Sequence, residues 1–253
     1  MNCLFCNKNG PYNTIEHIVP ESLGNKRLLL IEQICDSCQA YLGKEVERYV
    51  LQRSPIGAWR VFAGIETKNG KPPTFSFRQP NRNKGHLPDS HFANDDTISL
   101  SISEEGEHEF DIEDEQVLKA VADGTKTEFR LVLTPKMLHM MGRFLGKVGL
   151  EILARDHPDF ARSDSFDKMR RFVRFGEPIA FLWPIFYGSK GASPAISPCE
   201  ILVMDSNAEH NCPYTLCIFV LGNEHWITCL NDPYPPPDIR KSFPDIALKL
   251  ITY

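Results

Sequence analysis

The sequence predicts an α+β protein in which a small N-terminal module precedes a larger mixed domain. Three observations predict this class: two cysteine pairs near the start, several short apolar segments of strand length, and two long amphipathic stretches with helical spacing. A chain of 253 residues has room for one large domain or two smaller ones. A Ser-Pro-Ile-Gly segment ending at residue 57 marks a boundary, so we predict domains over residues 1–57 and 58–253.

Composition and charge are those of an ordinary globular protein. Apolar residues make up 42% and charged residues 24% of the chain, and the net charge of −5 does not indicate a general polyanion binder. The first residues show neither the basic region nor the apolar run typical of a signal peptide, so none is expected, and no stretch approaches the ~20 apolar residues that span a bilayer. We therefore expect a cytoplasmic protein without a membrane partner, in which paired cysteines indicate a metal more often than disulfides.

The first 57 residues predict two short strands followed by a helix. One short run covers residues 14–19 and ends at Pro20, and a second covers residues 28–34 after a turn at Gly24. Apolar residues at helical spacing follow Cys38.

The remaining chain predicts further strands and two strong helices. Thr134 and Pro135 provide an N-cap and a first-turn proline for a helix over residues 135–154, and a second helix over residues 165–175 ends at Gly176. A proline-rich tail is expected to lie on the surface. Strands are predicted at residues 61–65, 75–77, 98–102, 129–133, 179–186, 201–204, 214–221 and 225–230, with a hairpin turn at residues 222–223.

Four cysteines predict a structural metal site. Cys3 and Cys6 form one CxxC pair, Cys35 and Cys38 form another, and two such pairs complete a tetrahedron around zinc. Four thiolates leave no open position for a substrate, so this zinc would stabilise a small fold. A binding or scaffold module without chemistry is therefore the alternative to an enzyme.

A Glu-His pair lies between the two halves of the cysteine site. The Glu16 carboxylate can hold a divalent ion against a phosphate, and a neutral His17 imidazole can take a proton from an attacking water. Glu224 and His225 form a second such pair, but at the rim of a predicted hairpin. Glu16 and His17 are therefore the candidate catalytic residues; a surface carboxylate and a half-buried structural histidine are the alternatives.

The order CxxC, EHIxPExLG and CxxC-x3-LG, followed by a helix, resembles the zinc-stapled branch of the HNH (His-Me finger) endonucleases over residues 3 to about 50. The resemblance implies a ββα-metal, treble-clef-like zinc module. It implies that His17 is the general base and that Glu16 binds a catalytic Mg²⁺ or Mn²⁺. The family's second metal ligand, usually asparagine, maps to Gln39, which keeps a carbonyl oxygen one methylene farther out. A helix-capping Gln39 is the alternative.

The resemblance implies one-metal hydrolysis of a phosphodiester, with DNA as the favoured substrate. A role in host defence or restriction is suggested by analogy between two-part architectures. The main alternative is a catalytically inactive zinc module that binds nucleic acid or protein, and a nuclease toxin held inactive by a partner is a third. A protein partner or a homo-oligomer is compatible with each.

Clusters of basic residues outside the N-terminal module are candidate phosphate contacts, with a solvated helix face as the alternative. They are His139, Arg143 and Lys147 on the first strong helix, Lys168, Arg170, Arg171 and Arg174 on the second, and Arg78, Arg82 and Lys84 in a polar loop.

Two other clusters are assigned no function. The acidic block over residues 95–128 is interpreted as a solvated loop and strand edge rather than a DNA mimic. The later cysteines and nearby histidines lack knuckle spacing, so the cysteines are interpreted as core thiols rather than a second zinc site. The residues concerned are Cys199, Cys212, Cys217, Cys229, His210 and His225.

Overall fold

A computed structural model describes most of the chain as two compact units. One unit comprises residues 1–48 and 138–253, and the other comprises residues 49–137. The mixture of helices and strands confirms the predicted α+β class, whereas the predicted domain boundary after residue 57 stays a prediction. The residues described are 2–66, 70–79, 96–103, 107–126, 134–177, 185–188, 200–204, 215–221 and 224–232. Within these ranges, no helix has both the length and the apolar character that crossing a membrane requires.

The elements form three antiparallel sheets and seven α-helices within the described ranges. The strands are β1 Ile15–His17, β2 Leu29–Ile31, β3 Phe75–Gln79, β4 Asp96–Ile102, β5 His108–Ile112, β6 Ile185–Gly188, β7 Glu200–Met204, β8 Leu216–Leu221 and β9 Glu224–Cys229. The helices are α1 Asp36–Tyr41, α2 Arg48–Arg53, α3 Pro55–Phe62, α4 Glu115–Ala122, α5 Pro135–Asp156, α6 Pro158–Ala161 and α7 Asp167–Phe175, and a π-helical segment, Leu42–Glu47, joins α1 to α2.

The N-terminal segment has the predicted order of strand, strand and helix. Strands β1 and β2 pair antiparallel, with Glu16 opposite Leu30. Since side chains alternate between the faces of a strand, these two are buried while Ile15 and Ile31 are exposed. The sequence also predicts that Gly43 lets the helix pack closely against this hairpin, and this is wrong. A Cβ on Gly43, in the π-helical segment, would meet only Glu47 Oε2, at 3.9 Å.

The second unit contains helix α3 and the sheet β3-β4-β5. The predicted strand over residues 61–65 is wrong, because Val61 lies on the buried face of α3 and packs with Phe75 and Leu100. A short apolar run bounded by turn residues does not distinguish a strand from one face of a buried helix. The acidic block also contains helix α4, whose N-cap, Asp114, accepts a hydrogen bond from the Val117 amide at 2.8 Å.

Helix α5 is the central element of the first unit. Thr134 caps its first turn through a 3.1 Å hydrogen bond to the Met137 amide, as predicted. All residues from 141 to 154 are buried, which is the pattern of a helix surrounded by protein. Two glycines permit this packing. A Cβ on Gly146 would lie 2.5 Å from Met169 of α7, and a Cβ on Gly149 would lie 2.8 Å from Cys217 of β8.

The sheet against which α5 packs has the strand order β6-β9-β8-β7. Strands β8 and β9 pair antiparallel with Leu221 opposite Glu224, as a hairpin requires, whereas the predicted turn residues 222–223 lie outside the described residues. Phe144 of α5 meets Phe219 of β8 edge to face, with centroids 5.6 Å apart. Predicted features at residues 129–133, 179–184 and 233–237 lie outside the described residues.

Candidate active site and metal centre

The four cysteines of the two CxxC pairs form one cluster. Their sulfur atoms all lie within 4.8 Å of one another. Tetrahedral zinc, with Zn–S bonds of about 2.3 Å, places its sulfurs about 3.8 Å apart, so the cluster has the size of a tetrathiolate site. Each knuckle turns tightly, since the Asn7 amide bonds to the Cys3 carbonyl at 3.1 Å and the Cys38 amide bonds to the Cys35 carbonyl at 2.9 Å. The four cysteines are positioned to bind a metal ion, as predicted.

Donors around the cluster favour negative charge on its sulfurs. Arg174 of α7 donates through Nε to Cys38 Sγ at 3.2 Å, and the Cys35 amide donates to Cys3 Sγ at 3.4 Å. The hydrogen bond from the Cys38 thiol, together with backbone donors, lowers the pKa of Cys3 to about 4, and the same pairing raises the pKa of Cys38. A thiolate is the form that binds metal, so these contacts suit a metal site.

The candidate catalytic residues lie on the hairpin strand that is hydrogen-bonded to helix α1. Glu16 and His17 are the last two residues of β1, and α1 begins directly after Cys35. Gln39 Nε2 donates to the Ile15 carbonyl at 2.7 Å and so ties α1 to β1. Because a carbonyl oxygen only accepts, the amide nitrogen of Gln39 faces β1 and its Oε1 faces away. His17 and Gln39 are half-buried, whereas Glu16 is only 6% exposed.

Glu16 is buried because it is paired with a lysine from α5. Lys147 Nζ lies 2.8 Å from Glu16 Oε1, 2.8 Å from Glu47 Oε1 and 2.9 Å from Glu151 Oε2. It also lies 3.3 Å and 3.4 Å from the carbonyl oxygens of His17 and Ile18. An ammonium has three N–H groups, so it cannot donate a separate hydrogen bond to each of these five oxygens. The contact with Glu47 is an ion pair without hydrogen-bond geometry.

Charge on this cluster is determined by burial and by mutual attraction. Burial alone would lower the pKa of Lys147, but the Glu151, Glu47 and Glu16 carboxylates raise it well above its usual value. Burial raises the pKa of Glu151 well above its usual range, despite the opposing attraction of Lys147. The lysine is therefore an ammonium at neutral pH, enclosed by more carboxyl groups than it can neutralise.

Two of the three basic residues of α5, Arg143 and Lys147, are neither phosphate contacts nor part of a solvated face, so the prediction is wrong for them, whereas His139 is half-buried and stays a candidate. Arg143 is 6% and Lys147 0% exposed. Arg143 donates to the Tyr41 hydroxyl and the Val173 carbonyl, both at 2.9 Å, so it connects α5 with α1 and α7. A buried guanidinium needs such partners, because leaving it unpaired would cost several kcal/mol.

Helix α7 contains both buried and exposed basic residues. Arg170 is 4% exposed and donates to the carbonyls of Ala161 and Ser163, so it is a structural residue. Arg174 stacks on the Tyr41 ring, 4.0 Å from its centroid. Lys168 and Arg171 are exposed and stay candidates for phosphate contacts. The side chains of Arg78, Arg82 and Lys84 lie outside the described part of the structure.

The sequence predicts Lys147 only as a phosphate contact and Glu47 only as a reserve carboxylate for the metal. It does not predict Glu151 as a site residue. The available signal was a Lys-Glu pair four residues apart within residues 144–154 of α5, which are otherwise apolar or glycine. Such a pair on a surface helix is solvated, but inside an apolar stretch it must find partners elsewhere. The contacts of Lys147 with β1 cross 130 residues of sequence.

The two later cysteines that are described are core thiols, as interpreted. Cys217 and Cys229 are 0% and 3% exposed. Burial raises the pKa of Cys217 to about 12, so it remains protonated. Among the described residues, only Cys3, Cys6, Cys35 and Cys38 form a group of three or more metal-ligating side chains. The side chains of Cys199, His210, Cys212 and His225 lie outside the description.

This combination of two strands, a helix and a four-cysteine cluster is that of a ββα-metal module. Residues 3–54 match the model of the HNH endonuclease family, which confirms the resemblance found in the sequence. The match assigns a nuclease family to this N-terminal segment and implies nucleic-acid binding. No curated protein and no solved structure shows significant similarity to the chain.

Proposed function

We propose that the protein is a metal-dependent HNH endonuclease acting on DNA, with a structural zinc at Cys3, Cys6, Cys35 and Cys38. The observation that carries the proposal is the position of Glu16 and His17. They are adjacent on a strand that lies between the two knuckles and is bonded to α1 through Gln39. The proposal includes a role in host defence or restriction, and it includes a cytoplasmic location.

The residues present fit a hard divalent ion next to β1. Glu16 supplies a carboxylate and Gln39 a carbonyl oxygen, the donors that Mg²⁺ and Mn²⁺ prefer. The carboxylates around Lys147 exceed its single positive charge, so the neighbourhood of Glu16 favours a cation. The bound ion would supply Lewis-acid stabilisation of the phosphate.

His17 supplies the base in this proposal. Its imidazole is half-buried, and it takes a proton from the attacking water. No hydrogen bond to the imidazole is found among the described residues, so none that is described there competes with a bond to a substrate-bound water. Lys168 and Arg171 on α7 are exposed cations that could contact the DNA backbone.

A specific observation favours the alternative of a catalytically inactive binding module. Glu16 is buried and its Oε1 is already paired with Lys147, so a metal must bind through the other oxygen. We expect zinc-loaded protein to cleave plasmid DNA only when Mg²⁺ or Mn²⁺ is added, leaving 5′-phosphate and 3′-hydroxyl ends. Cleavage assays on plasmid, single-stranded DNA and RNA test this. Absence of cleavage on all three, with each ion titrated, would establish the binding module instead.

Gln39→Asn is expected to retain or raise cleavage. Asparagine keeps the carbonyl ligand and is the residue usual in the family, although it is one methylene shorter and gives up the 2.7 Å bond to Ile15. Initial rates over a Mn²⁺ titration measure the effect. Gln52→Asn, the same change at an exposed position of α2, is the control. A loss of activity specific to the Gln39 variant would mean that Gln39 acts by bonding to β1 and not as a ligand.

A further inference from the structure

Lys147 of helix α5 touches both candidate catalytic residues. The side chain is fully buried, and its ammonium lies 2.8 Å from Glu16 Oε1 and 3.3 Å from the His17 carbonyl oxygen. The matched family segment covers residues 3–54, so this lysine comes from outside it. The end of β1 is therefore held in place by a residue that the family segment does not contain.

The surroundings of the ammonium resemble a cation-binding pocket in which the lysine is the cation. Glu16, Glu47 and Glu151 contribute one carboxylate each, and two backbone carbonyls complete the shell at 3.3 Å and 3.4 Å. The lysine is tethered to α5, which is buried along this stretch and approaches α7 closely at Gly146. The position of the ammonium, and with it that of Glu16 Oε1, is thus fixed by the core.

We propose that Lys147 is a positioning residue of the nuclease site, holding Glu16 through Oε1 so that Oε2 is directed to the catalytic divalent ion. The inference rests on the proposed function. A positive charge touching the ligand carboxylate weakens the attraction of Glu16 for a divalent cation. The fixed geometry, by contrast, raises the rate by holding the reacting groups in place. Lys147 therefore lowers metal affinity and raises the cleavage rate.

The test measures Mn²⁺ binding by electron paramagnetic resonance on zinc-loaded protein without nucleic acid. Lys147→Met removes the ammonium, and Lys147→Met with Glu151→Gln also replaces the buried carboxyl group that the ammonium contacts, so that Glu151 does not lose its partner while still ionisable. In both variants we expect Mn²⁺ to bind at least about threefold more tightly. Cleavage at saturating Mn²⁺ is expected to fall at least about tenfold. If Lys147 only stabilised the fold, its removal would not tighten Mn²⁺ binding while slowing cleavage.

Two further variants separate the possible failures. Glu151→Gln alone keeps the ammonium and is expected not to tighten Mn²⁺ binding, while Glu16→Gln is expected to weaken it. An Mn²⁺ affinity within about twofold of wild type in both Lys147 variants would overturn the positioning role of Lys147 and leave the proposed nuclease function standing. Loss of zinc and of native circular dichroism in both would also overturn that role, because Lys147 would then be a core residue. Wild-type protein without Mn²⁺ binding, or binding insensitive to Glu16→Gln, would remove the proposed function and the inference with it.

Discussion

Replacing His17 with alanine is expected to abolish metal-dependent cleavage while leaving the fold and the zinc content intact. The imidazole belongs neither to the cysteine cluster nor to the Lys147 cluster, in which only the His17 backbone carbonyl takes part. Its removal therefore costs the proton transfer, an effect of roughly 10²–10⁴-fold on the rate. Single-turnover cleavage at saturating Mn²⁺ measures this effect without contributions from product release.

His157→Ala is the matched control. His157 is exposed and precedes α6, and its backbone carbonyl, which bonds to the Ala161 amide at 3.0 Å, is retained in the variant. Both variants should show wild-type Mn²⁺ binding, because neither removes a proposed ligand. Cleavage by the His17 variant at the rate of wild type would show that another group is the base.

The parts of the fold predicted correctly from sequence are those set by local chemistry. The cysteine spacing predicted the cluster, and the alternation of apolar residues with serines over residues 98–103 predicted β4. Thr134 predicted where α5 begins, and Gly176 predicted where α7 ends. Each of these signals acts over a few residues, through a cap, a turn or a strand face. The strand assigned at Val61 failed because a five-residue apolar run has no period long enough to distinguish strand from helix.

The part of the site that sequence could not predict depends on contacts between distant segments. Charged residues at four-residue spacing on a helix normally face water, and this expectation misassigned Arg143 and Lys147. Their partners, Tyr41 and Glu16, lie in the N-terminal segment and are distant in sequence, with Tyr41 lying 102 residues before Arg143. Nothing in the local pattern around α5 identifies those partners. The candidate catalytic residues Glu16 and His17 could be named, because they lie within one short motif.

These contacts indicate what the segment outside the family match contributes. Arg143 bonds to Tyr41, Gln33 donates to the Ala154 carbonyl at 2.9 Å, and Arg174 donates to the Cys38 sulfur. A single helical pair thus supports the metal cluster, helix α1 and strand β1 together. Buried charged groups are stable only when each is paired, so the N-terminal segment and this helical pair depend on each other for their charge balance.

Substitution of one cluster cysteine is expected to eliminate zinc and unfold the N-terminal segment. Structural zinc contributes about 10–16 kcal/mol in small zinc-binding peptides, comparable with or larger than the ~5–15 kcal/mol stability of a whole domain. Purified wild-type protein should contain about one zinc per chain, and Cys6→Ser and Cys38→Ser should contain almost none. Elemental analysis measures the metal, and thermal unfolding followed by circular dichroism measures the loss of structure.

Cys217→Ala, which changes a buried cysteine outside the cluster and keeps its Cβ, is the control and should retain zinc. Zinc-free wild-type protein with an unchanged fold would contradict the metal site and, with it, the proposed support of Glu16 and His17.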